Sequence, residues 1–255
     1  MRLADKIALV TGGDSGIGKA IALEMAREGA GVMIDYVGGD GPAHALVEQI
    51  ETFSGKAAAF AADVSNPDEV DALIAQTVKH FGRLDILVNN AGVEKKAPFL
   101  EMPFEVYSKI VDINLTGVWL CSQRAARQMV KQERGGRIIN ISSVHEDLTM
   151  PTNAPYCASK GGVRMLMRTI AVELAPHGIT VNNVCPGAVD TPMDAALTRD
   201  PKKYDALLSE IPLHRMAKPE EIAELCIFLA SEAGAYITAS SYVIDGGMMQ
   251  KSGNL

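Results

Sequence analysis

The chain has 255 residues, a formal charge of −7 from 24 Lys+Arg against 31 Asp+Glu, and 47% hydrophobic residues. A chain of this length makes one large domain or two small ones and can bury enough surface to need no disulfide or metal staple. The acidic balance argues against a dedicated nucleic-acid binder, whose binding face is basic. No apolar run reaches the ~18 residues of a membrane span.

Short apolar runs alternate with amphipathic segments from one end to the other. The first run, residues 6–10, is too short for the apolar core of a secretory leader, so a soluble cytoplasmic protein is expected. A helix is predicted over 17–28, stopped at Gly29, and a strand over 31–36. A helix over 43–53 and a strand over 56–61 follow. The next helix, 67–81, carries its own start signal in Asn66-Pro67-Asp68-Glu69: an N-cap, a proline at the first helical position and early acids. A strand over 84–88 leads to one long helix over 104–132, then a strand over 137–141 and a helix over 156–175, closed at His177-Gly178. A strand is expected over 180–184, a helix over 219–230 after Lys218-Pro219-Glu220-Glu221, and a last strand over 241–244. Between Pro186 and Pro219 five prolines interrupt any regular pattern, and a substrate loop or lid with a short helix is expected there.

Strands rich in Val, Ile and Ala, each followed by a helix, call for right-handed crossovers and a parallel sheet buried on both faces. The expected fold is therefore α/β, a single doubly wound Rossmann-type domain over 1–255 with a parallel seven-stranded sheet. Cys121, Cys157, Cys185 and Cys226 are far apart and form no C-x-x-C pair, which fits buried thiols in a reducing compartment. No metal site is expected.

Two patterns carry chemistry. The first strand runs through Thr11-Gly12-Gly13-Asp14-Ser15-Gly16-Ile17-Gly18 into a helix. Gly12 permits the tight turn, Gly16 lets backbone approach a pyrophosphate, and Gly18 lets helix and strand pack closely. The N–H groups of the helix start face the phosphates. The second pattern is Tyr156-Cys157-Ala158-Ser159-Lys160, whose i,i+4 spacing places the phenol and the ammonium on one helix face. A cation about 4 Å away offers roughly 4 kcal/mol to a phenolate at an effective dielectric of about 20. That is worth up to about three pH units, enough to bring a tyrosine of ordinary pKa near 10 close to neutrality.

The G-x-x-x-G-x-G spacing, with Tyr-x-x-x-Lys downstream, resembles the short-chain dehydrogenases/reductases. The resemblance implies further roles. Asp63-Val64 matches the stretch that sets an acid against the adenine. Asn89-Asn90-Ala91-Gly92 matches the strand end passing beneath the cofactor, and Pro186-Gly187-Ala188-Val189-Asp190-Thr191 the one that holds the carboxamide. Ser143 lies thirteen positions before Tyr156, as the family's serine does, and Asn114 falls where the fourth catalytic residue is found. By this likeness Tyr156 removes a proton from a substrate hydroxyl that Ser143 hydrogen-bonds. Lys160 supports the phenolate and bonds the cofactor ribose, and Asn114 holds a water linking Lys160 to solvent.

The expected cofactor is NAD(P). The family's acid position at the end of the second strand holds Tyr36, with Asp35 one residue early. No basic residue occurs from Gly29 to Ala43, whereas Asp14, Asp35 and Asp40 lie nearby. Repulsion of a 2′-phosphate by these acids leans the expectation to NAD over NADP. Among the family's branches, the chain is similar to bacterial glucose 1-dehydrogenases in Asn89 to Glu94, Ile141 to Glu146, Ile211-Pro212 and Asp245-Gly246-Gly247-Met248. It departs from them in lacking a basic residue after the second strand and in its short tail. Glu94 and His145 follow strands four and five, where ligands of α/β proteins bind, and are candidate substrate contacts. A sugar, glucose-like first, is expected, with another polyol, a small ketone or a 3-oxoacyl group as alternatives. A nicotinamide-binding regulator or scaffold is the alternative from another class. The long helix and the helix of Tyr156 carry apolar residues on several faces, and the resemblance implies a homotetramer built through them.

Overall fold

The computed structural model describes residues 1–192 and 199–250. Seven strands form one sheet in the order β3-β2-β1-β4-β5-β6-β7, every neighbouring pair parallel. They are β1 Ile7–Val10, β2 Gly31–Tyr36, β3 Lys56–Ala61, β4 Ile86–Asn89, β5 Gly136–Ile141, β6 Ile179–Pro186 and β7 Ser241–Ile244. The helices are α1 Gly16–Arg27, α2 Gly41–Glu51, α3 Pro67–Phe81, α4 Phe104–Val111, α5 Gly117–Gln132, α6 Ala154–Leu174, α7 Pro201–Glu210 and α8 Pro219–Ala230. The fold is the expected doubly wound Rossmann-type α/β domain.

Alternation along each strand divides the core in two. Ala8, Val10, Val32 and Ile34 face α1, α2 and α8, where they meet Ile21, Met25, Leu46, Ile50 and Ile227. Leu9 and Met33 face the other way, onto Leu73 of α3, Leu120 and Met129 of α5 and Met167 of α6. Both faces are covered, which is why the strands read as continuous apolar runs. Asn66 caps α3 by accepting the Asp68 N–H at 3.1 Å, as its sequence signal requires.

The structure departs from the sequence reading in one helix. The single helix expected over 104–132 is divided by a π-helical turn, Asp112–Thr116, between α4 and α5. Two tertiary demands meet there. The Asn114 side chain is tied to the backbone of Val93, and Gly117 lies so close to Val64 that a Cβ would stand 2.8 Å from Cγ2. Accommodating both costs one widened turn, a feature that periodicity does not reveal. In the region expected to form a lid, Val189 bridges Ala217 and α7 supplies the short helix, while residues 193–198 of that stretch lie outside those described.

Strand order reverses between β1 and β4, and the loops after them splay to opposite faces, opening a crevice at their C-terminal ends. Thr11 ties the two sides: its hydroxyl accepts the N–H groups of Asn90 and Ala91, each at 3.0 Å. Asn90 Nδ2 returns bonds to the carbonyls of Thr11 and Gly12. Gly18 fits beneath this knot. A Cβ there would stand 2.2 Å from the Gly12 oxygen and 2.4 Å from Asn90 Nδ2. Gly18→Ala should therefore cost about 1–3 kcal/mol of stability in urea denaturation; an unchanged midpoint would show that the knot is not rigid.

Candidate active site

The crevice above the β1/β4 reversal extends across β5 and β6 as a cleft of about 360 Å³. Gly12, Ser15, Gly16 and Ile17 line one end, with Asn90, Ala91 and Gly92 below and Pro186, Gly187, Val189 and Thr191 along the wall. Ser143, Tyr156 and Lys160 line it too, with Glu94 and His145, whose ring centroid lies 6.2 Å from that of Tyr156. Thus residues from five separated stretches converge on one surface.

The glycine turn fits a dinucleotide phosphate. Gly12 and Gly16 adopt φ of +56° and +51°, the left-handed region that side chains resist. No side chain caps the start of α1, so the N–H groups of its first turn remain available to an anion. Gly187 lies against Asp245, where a Cβ would stand 2.9 Å from its Cα, bringing backbone to the cleft wall.

Several predicted residues serve the site indirectly. The Asn114 amide accepts the Val93 N–H at 2.8 Å and donates to the Val93 carbonyl at 2.9 Å. Its side chain thereby fixes the loop beneath the cleft, and one N–H and one oxygen lone pair of the amide are not used by Val93. Asp63 accepts the N–H and hydroxyl of Ser65 at 2.9 and 2.6 Å, shaping the turn before α3, and Val64 is buried against Gly117. Tyr36 is buried in the core instead of facing a ribose. Asp35 also requires a correction. Its carboxyl lies under the glycine turn, accepting the Gly12 N–H at 3.2 Å, and its second oxygen is buried without a partner. Adjacent strand residues face opposite sides, and this one faces inward. Burial pushes its pKa up to about 8, with the neighbouring Asp14 charge acting in the same direction. Asp35 therefore repels no 2′-phosphate at neutral pH. Only Asp14 and Asp40 of the three acids remain for that argument.

The central residues are held by their backbones. Ser143, extended at φ −168°, accepts the His145 N–H at 3.2 Å, which leaves its own O–H to donate into the cleft. Lys160 is 6% exposed; its ammonium donates to the Ile141 carbonyl at 2.8 Å and lies 5.5 Å from the centre of the Tyr156 ring. Burial lowers the Lys160 pKa to about 8. It is charged at neutrality, and only by a narrow margin. At the rim, Glu94 accepts from the buried Asn153 amide at 3.0 Å and approaches Lys96 at 3.8 Å. His145 Nδ1 faces the Leu148 carbonyl at 3.3 Å, so it carries the hydrogen there and Nε2 is an acceptor. Burial lowers the pKa of this histidine and keeps it neutral.

Residues 12–249 match the family model described as Enoyl-(Acyl carrier protein) reductase, a branch of the short-chain dehydrogenases/reductases. The chain belongs to the short-chain dehydrogenase/reductase family. It is 44% identical to a 3-oxoacyl-[acyl-carrier-protein] reductase of Synechocystis sp. over 97% of this chain and 98% of that protein. It is 40% identical to an L-rhamnose 1-dehydrogenase (NAD(P)(+)) of Azotobacter vinelandii over 97% and 98%. A short-chain type dehydrogenase/reductase of Mycobacterium marinum superposes with a TM-score of 0.92 at 40% identity, covering 98% and 97% of the two chains. The protein is accordingly an oxidoreductase of CH–OH groups in a family that uses NAD(P).

Sequence reasoning missed Thr11, Lys96, Asn153, and the polar groups behind Ser143. Thr11 and Asn153 are ordinary turn and cap residues by sequence, and only their long-range partners set them apart.

The folded-state pKa of Asp35 lies above its ordinary value of 3.8. The native protein therefore holds a proton at Asp35 that the unfolded chain releases, and the Asp35 contribution to stability falls as pH rises from about 4 towards 8. Asp35→Asn removes this loss and should gain on the wild type across that interval in urea denaturation. Parallel stability curves would mean that Asp35 titrates normally.

Proposed function

We propose that the protein oxidises a small polyhydroxylated substrate, a glucose-like aldose first, at a hemiacetal or secondary hydroxyl. The observation that carries this reading is the polar rim. Glu94, Lys96 and His145 line the same cleft as Ser143 and Tyr156, and they offer a polyol partners for the hydroxyls that do not react. A substrate hydroxyl accepts from Ser143 O–H and gives its proton to Tyr156, whose phenolate the Lys160 ammonium stabilises. The glycine turn, Asn90 to Gly92 and Pro186 to Thr191 would hold the nicotinamide dinucleotide, which supplies the hydride-accepting carbon when bound. Helix α7 brings Leu207 over the cleft, the part a lid would play.

A second reading has its own support. Met150, Leu207 and Met248 give the cleft an apolar wall, and one relative is named a 3-oxoacyl-[acyl-carrier-protein] reductase. A small ketone or acyl substrate would use that wall. NAD is favoured over NADP by Asp14, Asp40 and the absence of basic residues from Gly29 to Ala43. A homotetramer fits the exposed groove of Trp119, Ala126, Val130, Ile170 and Leu174 on α5 and α6. The four free cysteines suit a reducing cytoplasm.

Aldoses, polyols, ketones and simple alcohols assayed at fixed NAD and NADP test the assignment. At least one aldose should exceed the best simple alcohol in kcat/KM; if none does, the sugar reading is wrong. Glu94→Ala should raise KM for that aldose about tenfold or more, one good hydrogen bond to a charged group, and leave a simple alcohol unaffected. Tyr156→Phe should lower kcat by about 100-fold or more while sparing dinucleotide binding measured by calorimetry.

A further inference from the structure

Behind Ser143 lies a connected set of buried polar groups that the reaction, as described above, does not use. Asn89, Asn140 and Asn183 occupy matching register on β4, β5 and β6. Asn89 Nδ2 donates to Asn140 Oδ1 at 2.8 Å, and Asn140 Nδ2 to Asn183 Oδ1 at 2.9 Å. Asn183 Nδ2 then donates to Glu146 Oε2 at 2.9 Å. All three amides donate in the same direction, so their dipoles add with the positive end at Glu146. The Ser142 hydroxyl donates to the same oxygen at 2.7 Å. The Glu146 side chain is 2% exposed, and its other oxygen lies 3.7 Å from Arg164 Nε. A carboxylate this deep is tolerated only with such partners.

The groups facing this carboxylate come from three elements. Helix α6 contributes Arg164, and at Gly161, the neighbour of Lys160, a Cβ would stand 3.8 Å from the Glu146 carbonyl oxygen. Strand β6 contributes Cys185, whose thiol burial and Glu146 push up to about 12, so it stays neutral. On Glu146's own turn, Asp147 pairs with Arg164. Lys160 in turn faces Tyr156 and the Ile141 carbonyl; its charged form is favoured by a Cys185 thiolate and next by Glu146, and because the Cys185 thiol stays protonated at neutral pH, Glu146 is the group left to act. An opposing charge matters most where burial has already removed water.

We infer that Glu146 is a positioning residue for the reaction: its buried carboxylate keeps Lys160 protonated and, through Ser142, fixes the backbone from which Ser143 projects. This rests on the Tyr156–Lys160 pair acting as described above and is independent of the substrate's identity. No electron or bond is transferred at Glu146; it acts on the proton held at Lys160 Nζ.

The test uses cofactor-free protein labelled with 13C at lysine Cε, the Lys160 resonance being the one lost in Lys160→Arg. The wild-type resonance should titrate near pH 8. Glu146→Gln keeps an acceptor for Ser142 and Asn183 and should lower that midpoint by about one pH unit. Arg164→Gln removes a positive charge and should move the midpoint upward. The alkaline limb of kcat/KM, measured with any alcohol that is turned over, should move in the same directions. Ser142→Ala breaks one contact, keeps the charge, and should lower kcat with the limb in place. A Lys160 midpoint that stays put in both charge variants overturns the inference, as does an alkaline limb that fails to follow it. Should Glu146→Gln not fold, Glu146→Asp, which keeps the charge but draws it back by one methylene, should lower the midpoint by a smaller amount, and an unmoved midpoint there overturns the inference. Absence of turnover with every alcohol would strike the functional reading instead and leave the resonance titration to judge Glu146.

Discussion

Lys160 carries a positive charge almost wholly out of water, and the C-terminal edge of the sheet is organised around keeping it there. An ammonium in so dry a place loses most of its hydration, which lowers its hold on the proton. One backbone carbonyl, Ile141, replaces part of that hydration directly. Glu146, across the packing of α6 on the turn after β5, offsets a further part electrostatically, and burial still outweighs both. The same burial that weakens the lysine strengthens its influence on Tyr156, because little solvent screens the pair. A surface lysine would be charged without cost and would do little for the phenol beside it.

This arrangement depends on the parallel sheet. Parallel strands place all their C-terminal ends on one edge, so β1, β4, β5 and β6 deliver the glycine turn, Asn90, Ser143 and Pro186 to one line. Matching register also makes the row of Asn89, Asn140 and Asn183 possible, since amides on neighbouring parallel strands fall side by side. The row spans the dry interior between the two halves of the core and ends at the carboxylate behind the serine. A buried polar row is costly unless every link is made, and here each amide hydrogen-bonds the next. The cofactor end follows a simpler rule. Backbone must approach closely, so side chains are absent at Gly12, Gly16 and Gly18, and the knot of Thr11 and Asn90 holds what the glycines would otherwise leave loose.

Much of this could be read from the sequence because the signals are local. Apolar runs of four to eight residues bounded by helical patterns gave the strands, and Asn66-Pro67 and His177-Gly178 marked helix ends close to where they lie. The i,i+4 spacing of Tyr156 and Lys160 is intrinsic to a helix and needs no fold. The resemblance to the family pointed to Ser143 and the strand-end motifs. The residues misplaced by sequence are those whose roles depend on direction or on distant partners. Asp35 and Tyr36 sit at the right strand end but point into the protein, and one step along a strand reverses a side chain. Asn114 lies at the expected position, its bond to the Val93 backbone is long-range, and the π-helical turn that carries it has no periodic signature.

What the sequence determined by itself was the architecture, the glycine turn and the shared helix face of Tyr156 and Lys160, since periodicity, glycine placement and helix spacing act over a few residues. Tertiary structure alone decided how those groups are charged and held. Whether Asp35 meets a ligand or a backbone N–H, how dry Lys160 is, and that Glu146 closes a row of asparagines begun over fifty residues earlier at Asn89 all depend on what packs nearby. Burial and long-range hydrogen bonding set the energies of ionised groups, and neither is a property of a segment read alone.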